Sequence, residues 1–297
     1  MFDLPETVQI IEVGLRDGLQ NEAVRVPTGD KLAIIDGLIA AGVTEIQVTS
    51  FVHPERVPQM ADAEQVCQRL PDNSDVIFSG LVLNRRGLER AHAAGLRKVD
   101  VGMSVSNTHS IKNTGRPVAD KLGEVQELIR QAKDWGMVVR AGLQCVFGCV
   151  YEGNIPREDV YRLLECYIQL PVDEIALADS TGMANPKQMQ EVITKVRPLI
   201  GDLPLTLHLH DTYGLGLANM LAAMAAGVTR FDSAFGGMGG CPFIEGAAGN
   251  IATEDVVYML DSMGIHTGID WDQIAAISRR TAATVGHALM GKLYGIR

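Results

Sequence analysis

Eight short apolar runs rich in β-branched residues recur along this chain, each followed by a longer stretch of helical periodicity. That alternation constrains the fold more than any other feature, because strands joined by helices run parallel and bury both faces of their sheet. The runs fall at residues 8–13, 45–49, 76–82, 98–103, 138–145, 174–178, 205–210 and 230–235. Between them, residues 30–41, 61–70, 87–94, 118–135, 157–169, 186–200 and 215–226 read as amphipathic helices. Eight such units match the (β/α)8 TIM barrel, an α/β fold whose functional residues gather at the C-terminal ends of the strands. A doubly wound sheet is the competing architecture. It uses fewer strands and a GxGxxG turn after the first, where this chain has GLRDGLQNE. Residues 253–263 and 270–289 follow the eighth strand as extra C-terminal helices, so residues 1–297 are expected to form one barrel domain.

Helix ends support these boundaries. Thr28 or Asp30 can cap the first helix, and Asn185-Pro186 opens the sixth. Gly42, Gly95, Gly136 and Gly227 each follow a helix, three of them within an Ala-Ala-Gly triplet just before a strand. The triplet is punctuation repeated by the architecture rather than a sequence repeat.

With 46% hydrophobic and 21% charged residues, the chain is globular rather than disordered. Its 26 basic against 36 acidic residues give a net charge of -10, which argues against a nonspecific grip on nucleic acid or an anionic membrane. Five scattered cysteines (Cys67, Cys145, Cys149, Cys166 and Cys241) lack metal-ligand spacing and suit a reducing compartment. There is no leader pattern, nor any apolar run of the roughly 18 residues a bilayer span needs, so a cytoplasmic protein is expected.

Polar residues collect where a barrel enzyme needs them. Arg16 and Asp17 follow the first strand; Gln47, Thr49 and Ser50 end the second, Ser104 and Ser106 the fourth, and Asp179 and Ser180 the sixth. His208 and His210, two apart on the seventh strand, point to one side and can offer two imidazoles to one metal ion. Taken alone they also fit hydrogen-bonded rim histidines. Asp17 lies nearby across a closed barrel, and two histidines with a carboxylate and open positions suit a divalent ion that polarises substrate oxygens. Cys241 sits in a glycine-rich segment after the last strand, where its thiol can serve as acid or base or pack as a small hydrophobe. Arg85, Arg86, Lys112 and Arg116 form a local basic patch suited to a phosphorylated group such as coenzyme A, with Lys112 and Arg116 placed in a loop after strand four.

Four segments then carry a family resemblance: EVGLRDGLQNE at 12–22, VTSFVHPERVPQMAD at 48–62, HLHDTYGLGLANM at 208–220 and GGMGGCPFIEGAAGNIATEDVVYML at 236–260. In order and spacing they resemble the 3-hydroxy-3-methylglutaryl-CoA lyases, within a metal-dependent barrel superfamily that includes isopropylmalate synthases. The resemblance implies cleavage of a tertiary 3-hydroxyacyl-CoA into acetyl-CoA and a keto product, with Mg²⁺ or Mn²⁺ as cofactor and coenzyme A carried by the substrate. By motif, Asp17, His208, His210 and Asn250 would bind the metal. Arg16 would steady the enolate, Cys241 would be the loop acid/base, and Asp179 a further active-site carboxylate. Ser50, Lys112 and Arg116 are the expected coenzyme A contacts, and a homodimer is a family expectation.

One position departs from the family. Where those lyases carry a glutamate on strand two, this chain has Gln47, which keeps size and hydrogen bonding but loses charge. The departure points to a related substrate, for instance of citramalyl-CoA type, and to a gain in hydroxymethylglutaryl-CoA cleavage on Gln47→Glu. Two other readings compete: an acetyl-CoA condensing synthase, disfavoured by the roughly 30 residues left after Gly268, and a non-catalytic acyl-CoA-binding barrel.

Overall fold

A computed structural model describes residues 4–72, 75–240 and 248–296. Strands β1 (Gln9–Glu12), β2 (Glu45–Ser50), β3 (Ile77–Val82), β4 (Lys98–Ser104), β5 (Val138–Gln144), β6 (Glu174–Asp179), β7 (Leu205–Leu209) and β8 (Arg230–Ser233) are all parallel and close into a barrel in sequence order. This is the (β/α)8 TIM barrel expected from the alternation.

Helices α1 (Thr28–Ala40), α2 (Ala63–Cys67), α3 (Arg85–Ala93), α4 (Asn107–Thr114), α5 (Val118–Asp134), α6 (Arg157–Ile168), α7 (Pro186–Ile200) and α8 (Gly216–Ala225) connect the strands, and α9 (Thr253–Ser262) and α10 (Trp271–Val285) follow β8. The longer ones cover the sheet with an apolar stripe; on α7 this is Met189, Val192, Ile193, Val196 and Ile200. Asn185 and Gln188 form a reciprocal capping box at its start, with Pro186 at the first helical position. The expected cap of α1 is absent: Pro27 precedes the helix, and Thr28 instead donates to Asp62 Oδ2 at 2.7 Å. Gly42, at φ 93°, leaves α1 in a left-handed conformation and passes so close to Gly268 that a Cβ would lie 2.2 Å from its carbonyl oxygen.

One helix differs from the sequence reading. Lys112, read as lying in a loop, belongs to α4, with the Ser106 hydroxyl accepting the His109 amide at 3.1 Å and Gly115 ending the helix at φ 77°. Only Ile111 is strongly apolar in this short polar helix, and it is exposed, so no buried stripe signals it.

Alternating strand residues fill the barrel interior. At its N-terminal floor, Lys98 Nζ lies 2.5 Å from Glu45 Oε1 and 2.7 Å from Glu174 Oε2. Arg230 Nη2 meets the same two carboxylates at 3.1 and 3.3 Å. Two cations and two anions neutralise one another there, so Glu45 is committed to the floor and does not take the place of a glutamate at Gln47. The opposite parity, Val99, Val139, Ile175, Leu207 and Phe231, is buried beneath the helices.

Candidate active site

Immediately after β1 the chain coils into a π-helical turn, Gly14–Gly18, that brings Arg16 and Asp17 over the C-terminal mouth of the barrel. Glu12, buried beneath it, accepts the amides of Gly14 at 2.7 Å and Phe235 at 3.1 Å, and the Thr253 hydroxyl at 2.6 Å. It thereby ties the turn to the segment that follows β8. Glycine is required at Gly14, where a Cβ would stand 2.6 Å from the Phe235 ring.

On β7, His208 and His210 share a face as their spacing predicts, with their Nε2 atoms 3.1 Å apart. Asp17 Oδ2 lies 3.7 Å from His208 Nε2 and 3.6 Å from His210 Nε2. One oxygen and two imidazole nitrogens therefore converge within metal-site dimensions. Asn250, bridged to His210 through the backbone, donates Nδ2 to Asp17 Oδ2 at 2.7 Å, while its buried Oδ1 has no partner among the described residues. These donors fit a divalent cation, and the orphaned amide oxygen is of the type such an ion takes up. Burial alone would raise the Asp17 carboxyl; Arg16, His210 and His208 outweigh it and hold the group well below its usual range, in the ionised form a ligand needs.

Behind the histidines stand three buried charges that sequence reasoning missed. Asp232 Oδ2 lies 3.0 Å from His208 Nδ1, which fixes the ring as a supporting carboxylate does for a metal-ligating histidine. Arg140 Nη1 meets Asp232 Oδ1 at 2.6 Å, and its Nε donates to Asp100 Oδ1. Asp100 Oδ2 in turn accepts Gln47 Nε2 at 2.5 Å, and Gln47 Oε1 accepts Arg16 Nε. Arg16 closes the loop on Asp17. A chain of donors and acceptors thus runs around the cleft from His208 to Asp17, with the Gln47 amide joining Asp100 to Arg16. Asp100, Arg140 and Asp232 are charged residues at inward parity in buried strands, a signal that needs the neighbouring strands before it can be read.

The cleft holds about 180 Å³ and is lined by Arg16, Asp17, Gln47, His208 and His210 together with Asp100, Arg140 and Asp232. The other expected site residues fare differently. Asp179 has the opposite parity to Ala178 and Ser180, which line the cleft; it points behind the wall, accepts the Ala184 amide at 3.1 Å, and is pushed up to about 6 by burial. Ser50 is buried beside Gln20, at 3.4 Å, and does not reach the cleft wall. Lys112 is exposed on α4 rather than in a loop, its ammonium 4.8 Å from the Tyr151 ring centre, and Arg116 is exposed just past that helix; neither lines the cleft, although Asn113 does. Cys241 lies outside the described residues. No disulfide joins the described cysteines.

Burial would raise the Asp232 carboxyl, but Arg140 and His208 hold it down at about 2, against 3.8 for an exposed aspartate. A lowered carboxyl stabilises the fold above its unfolded value, and that contribution, on the order of 2 kcal/mol, disappears as pH falls through the folded value. The urea midpoint of the wild type is therefore expected to fall between about pH 4 and pH 2 more steeply than that of Asp232→Asn. Parallel pH profiles for the two proteins would contradict this.

Comparison with known proteins places this geometry. The profile of the HMGL-like family matches residues 7–280. The chain belongs to the HMGL-like family. Among similar members, the hydroxymethylglutaryl-CoA lyase of Bacillus subtilis is 39% identical over 285 residues, covering 96% of this chain and 95% of that protein. A cytoplasmic 3-hydroxy-3-methylglutaryl-CoA lyase of Rattus norvegicus is 41% identical, covering 91% and 79%. Among solved members of the HMGL-like family, the Bacillus subtilis HMG-CoA lyase superposes with a TM-score of 0.95 at 38% identity, over 99% of this chain and 98% of that one. An HMG-CoA lyase from Acinetobacter baumannii, in complex with coenzyme A and 3-methylmalate, gives 0.94 at 39% identity, over 98% and 95%.

Proposed function

We propose that the protein is a divalent-metal-dependent carbon–carbon lyase that cleaves 3-hydroxy-3-methylglutaryl-CoA, or a closely related tertiary 3-hydroxyacyl-CoA such as citramalyl-CoA, to acetyl-CoA and a keto product. The observation that carries it is the convergence of Asp17, His208 and His210 beside Arg16 at the barrel mouth. Family membership and the lyases named above support the same reaction class.

Retro-Claisen cleavage moves one proton and one bonding pair. The tertiary hydroxyl loses its proton and becomes a carbonyl, the adjoining carbon–carbon bond breaks, and its electrons form the acetyl-CoA enolate, whose carbon then takes up a proton. Asp17, His208, His210 and Asn250 would hold a divalent ion such as Mg²⁺ or Mn²⁺, which when bound would supply Lewis acidity. Arg16 opposes the enolate charge: Gln47 and Asp17 fix its Nε and Nη1, so the cation is preorganised before negative charge develops. Asp232 keeps the His208 ring in place from behind. The Cys241 thiol is the proton donor in this reading. The coenzyme A phosphates would lie across α4, near Lys112 and Arg116, with Ser50 and Asp179 supporting the wall.

The described helices include none long and apolar enough to cross a membrane. Cytoplasmic residence, a homodimer and a single catalytic unit over 1–297 complete the proposal. The test separates cleavage from condensation: metal-loaded protein is given hydroxymethylglutaryl-CoA or citramalyl-CoA in one arm, and a 2-oxo acid plus acetyl-CoA in the other. Release of acetyl-CoA in the first arm is the expected result. Free coenzyme A appearing only in the second would establish a condensing synthase, and silence in both would leave a binding barrel.

A further inference from the structure

Gly142 stands in the middle of β5 without either of the usual reasons for glycine. Its φ is not in the left-handed region, and a Cβ built there meets nothing nearer than Ala176 Cβ at 3.8 Å. Its neighbour differs, because a Cβ at Gly102 would lie 2.8 Å from the Gly142 carbonyl oxygen. A glycine inside a strand weakens it, and where packing does not demand one, the site is often where a ligand comes close.

Register shows what this absence of side chain creates. Gly142 pairs with Gly102 on β4 and Ala176 on β6, while Ala178 pairs with His208 on β7. All four line the cleft. An arc of minimal side chains therefore runs from the histidine pair around β6, β5 and β4, facing Arg16 and Gln47 across the mouth. One step deeper on β4 and β5 lie Asp100 and Arg140. Arg140 is already held between Asp100 and Asp232, so the three carry a net negative charge. That floor repels a substrate carboxylate and leaves no cation to receive one. An alkyl group suits the arc.

We infer that this arc is a subsite for the alkyl branch on the tertiary carbon of the substrate, and that it is built for a branch longer than methyl. The inference rests on the lyase reading and specifies its substrate class: 3-hydroxy-3-alkylglutaryl thioesters of coenzyme A, with several carbons in the branch. The reaction balances as before. The hydroxyl proton is lost, the bond between the tertiary carbon and the acetyl carbon breaks, and the enolate carbon gains a proton. The branch leaves on the 3-oxo acid.

The test compares kcat/KM of the metal-loaded wild type on 3-hydroxy-3-methylglutaryl-CoA and its 3-butyl homologue, then repeats the ratio in Gly142→Leu. The butyl compound is expected to be cleaved within about tenfold of the methyl compound or better, each methylene fitting an apolar pocket being worth about tenfold or more. Gly142→Leu is expected to lower the butyl-to-methyl ratio by about 100-fold. Gly142→Ala, whose Cβ the structure accommodates, should lower it by a smaller factor and serves if the leucine variant does not fold. A wild type that cleaves the methyl compound and not the butyl one, or a ratio unmoved by both substitutions, overturns the subsite and leaves the lyase reading intact. Cleavage of neither compound overturns the subsite, and if citramalyl-CoA is not cleaved either, the lyase reading falls with it.

Discussion

Gln47→Glu alone is expected to lower kcat by about 100-fold, the order of loss that displacing a catalytic group produces. Sequence comparison with the family glutamate suggested the opposite, a gain. The structure reverses the expectation because Gln47 Nε2 donates to Asp100 Oδ2 at 2.5 Å. A glutamate would set two carboxylates at that distance, where both cannot ionise. Either one binds a proton or Asp100 withdraws. Withdrawal loosens Arg140, then Asp232, and through it the His208 ring. In this chain the negative charge beside position 47 is that of Asp100 on β4. Gln47→Glu combined with Asp100→Asn keeps the net charge and lets the new amide donate to the new carboxylate, so it is expected to return kcat to within about tenfold of wild type. Steady-state kinetics of both single variants and the double decide the point. A Gln47→Glu enzyme as fast as wild type, or a double variant no better than the single, would show that the two positions are not paired.

His210→Ala is expected to have the larger effect, a loss of about 1000-fold or more. A divalent ion contributes several kcal/mol to stabilising charge in the transition state, and every 1.36 kcal/mol is tenfold in rate. His210 Nε2 is 3.6 Å from Asp17 Oδ2 and 3.1 Å from His208 Nε2, so its removal takes away one corner of the only His, Cys, Asp or Glu cluster with metal-site dimensions among the described residues. Calorimetric titration with Mn²⁺ should show the same change as weakened binding. Turnover that survives the substitution would remove the metal assignment.

Much of this site was legible before any fold was known, and the reasons are local. His208 and His210 announce themselves because a strand's period of two puts both rings on one face, and Arg16 and Asp17 because a charged pair follows a barrel strand at its exit. Asp179 shows the limit of that reasoning. It ends β6 as a rim residue should, but one residue of parity turns it behind the wall while Ala178 and Ser180 face the cleft. Asp100, Arg140 and Asp232 escaped because a charge in the middle of a strand has no meaning until its partners on neighbouring strands are known. Gln47 was noticed as a lost charge, and only the fold reveals the Asp100 carboxylate beside it. The glycine at 142 carries no sequence signal at all, since its meaning lies in space that no neighbour fills.

The central claim, a metal-dependent lyase, is tested most directly by product analysis on chelator-stripped protein. Hydroxymethylglutaryl-CoA and its citramalyl and 3-butyl counterparts are incubated with the stripped protein, with and without Mg²⁺ or Mn²⁺. Acetyl-CoA and the matching keto product should appear in equal amounts, from at least one substrate, only when metal is restored. Equal cleavage without metal, or no cleavage of any of them with the metal bound, would contradict it.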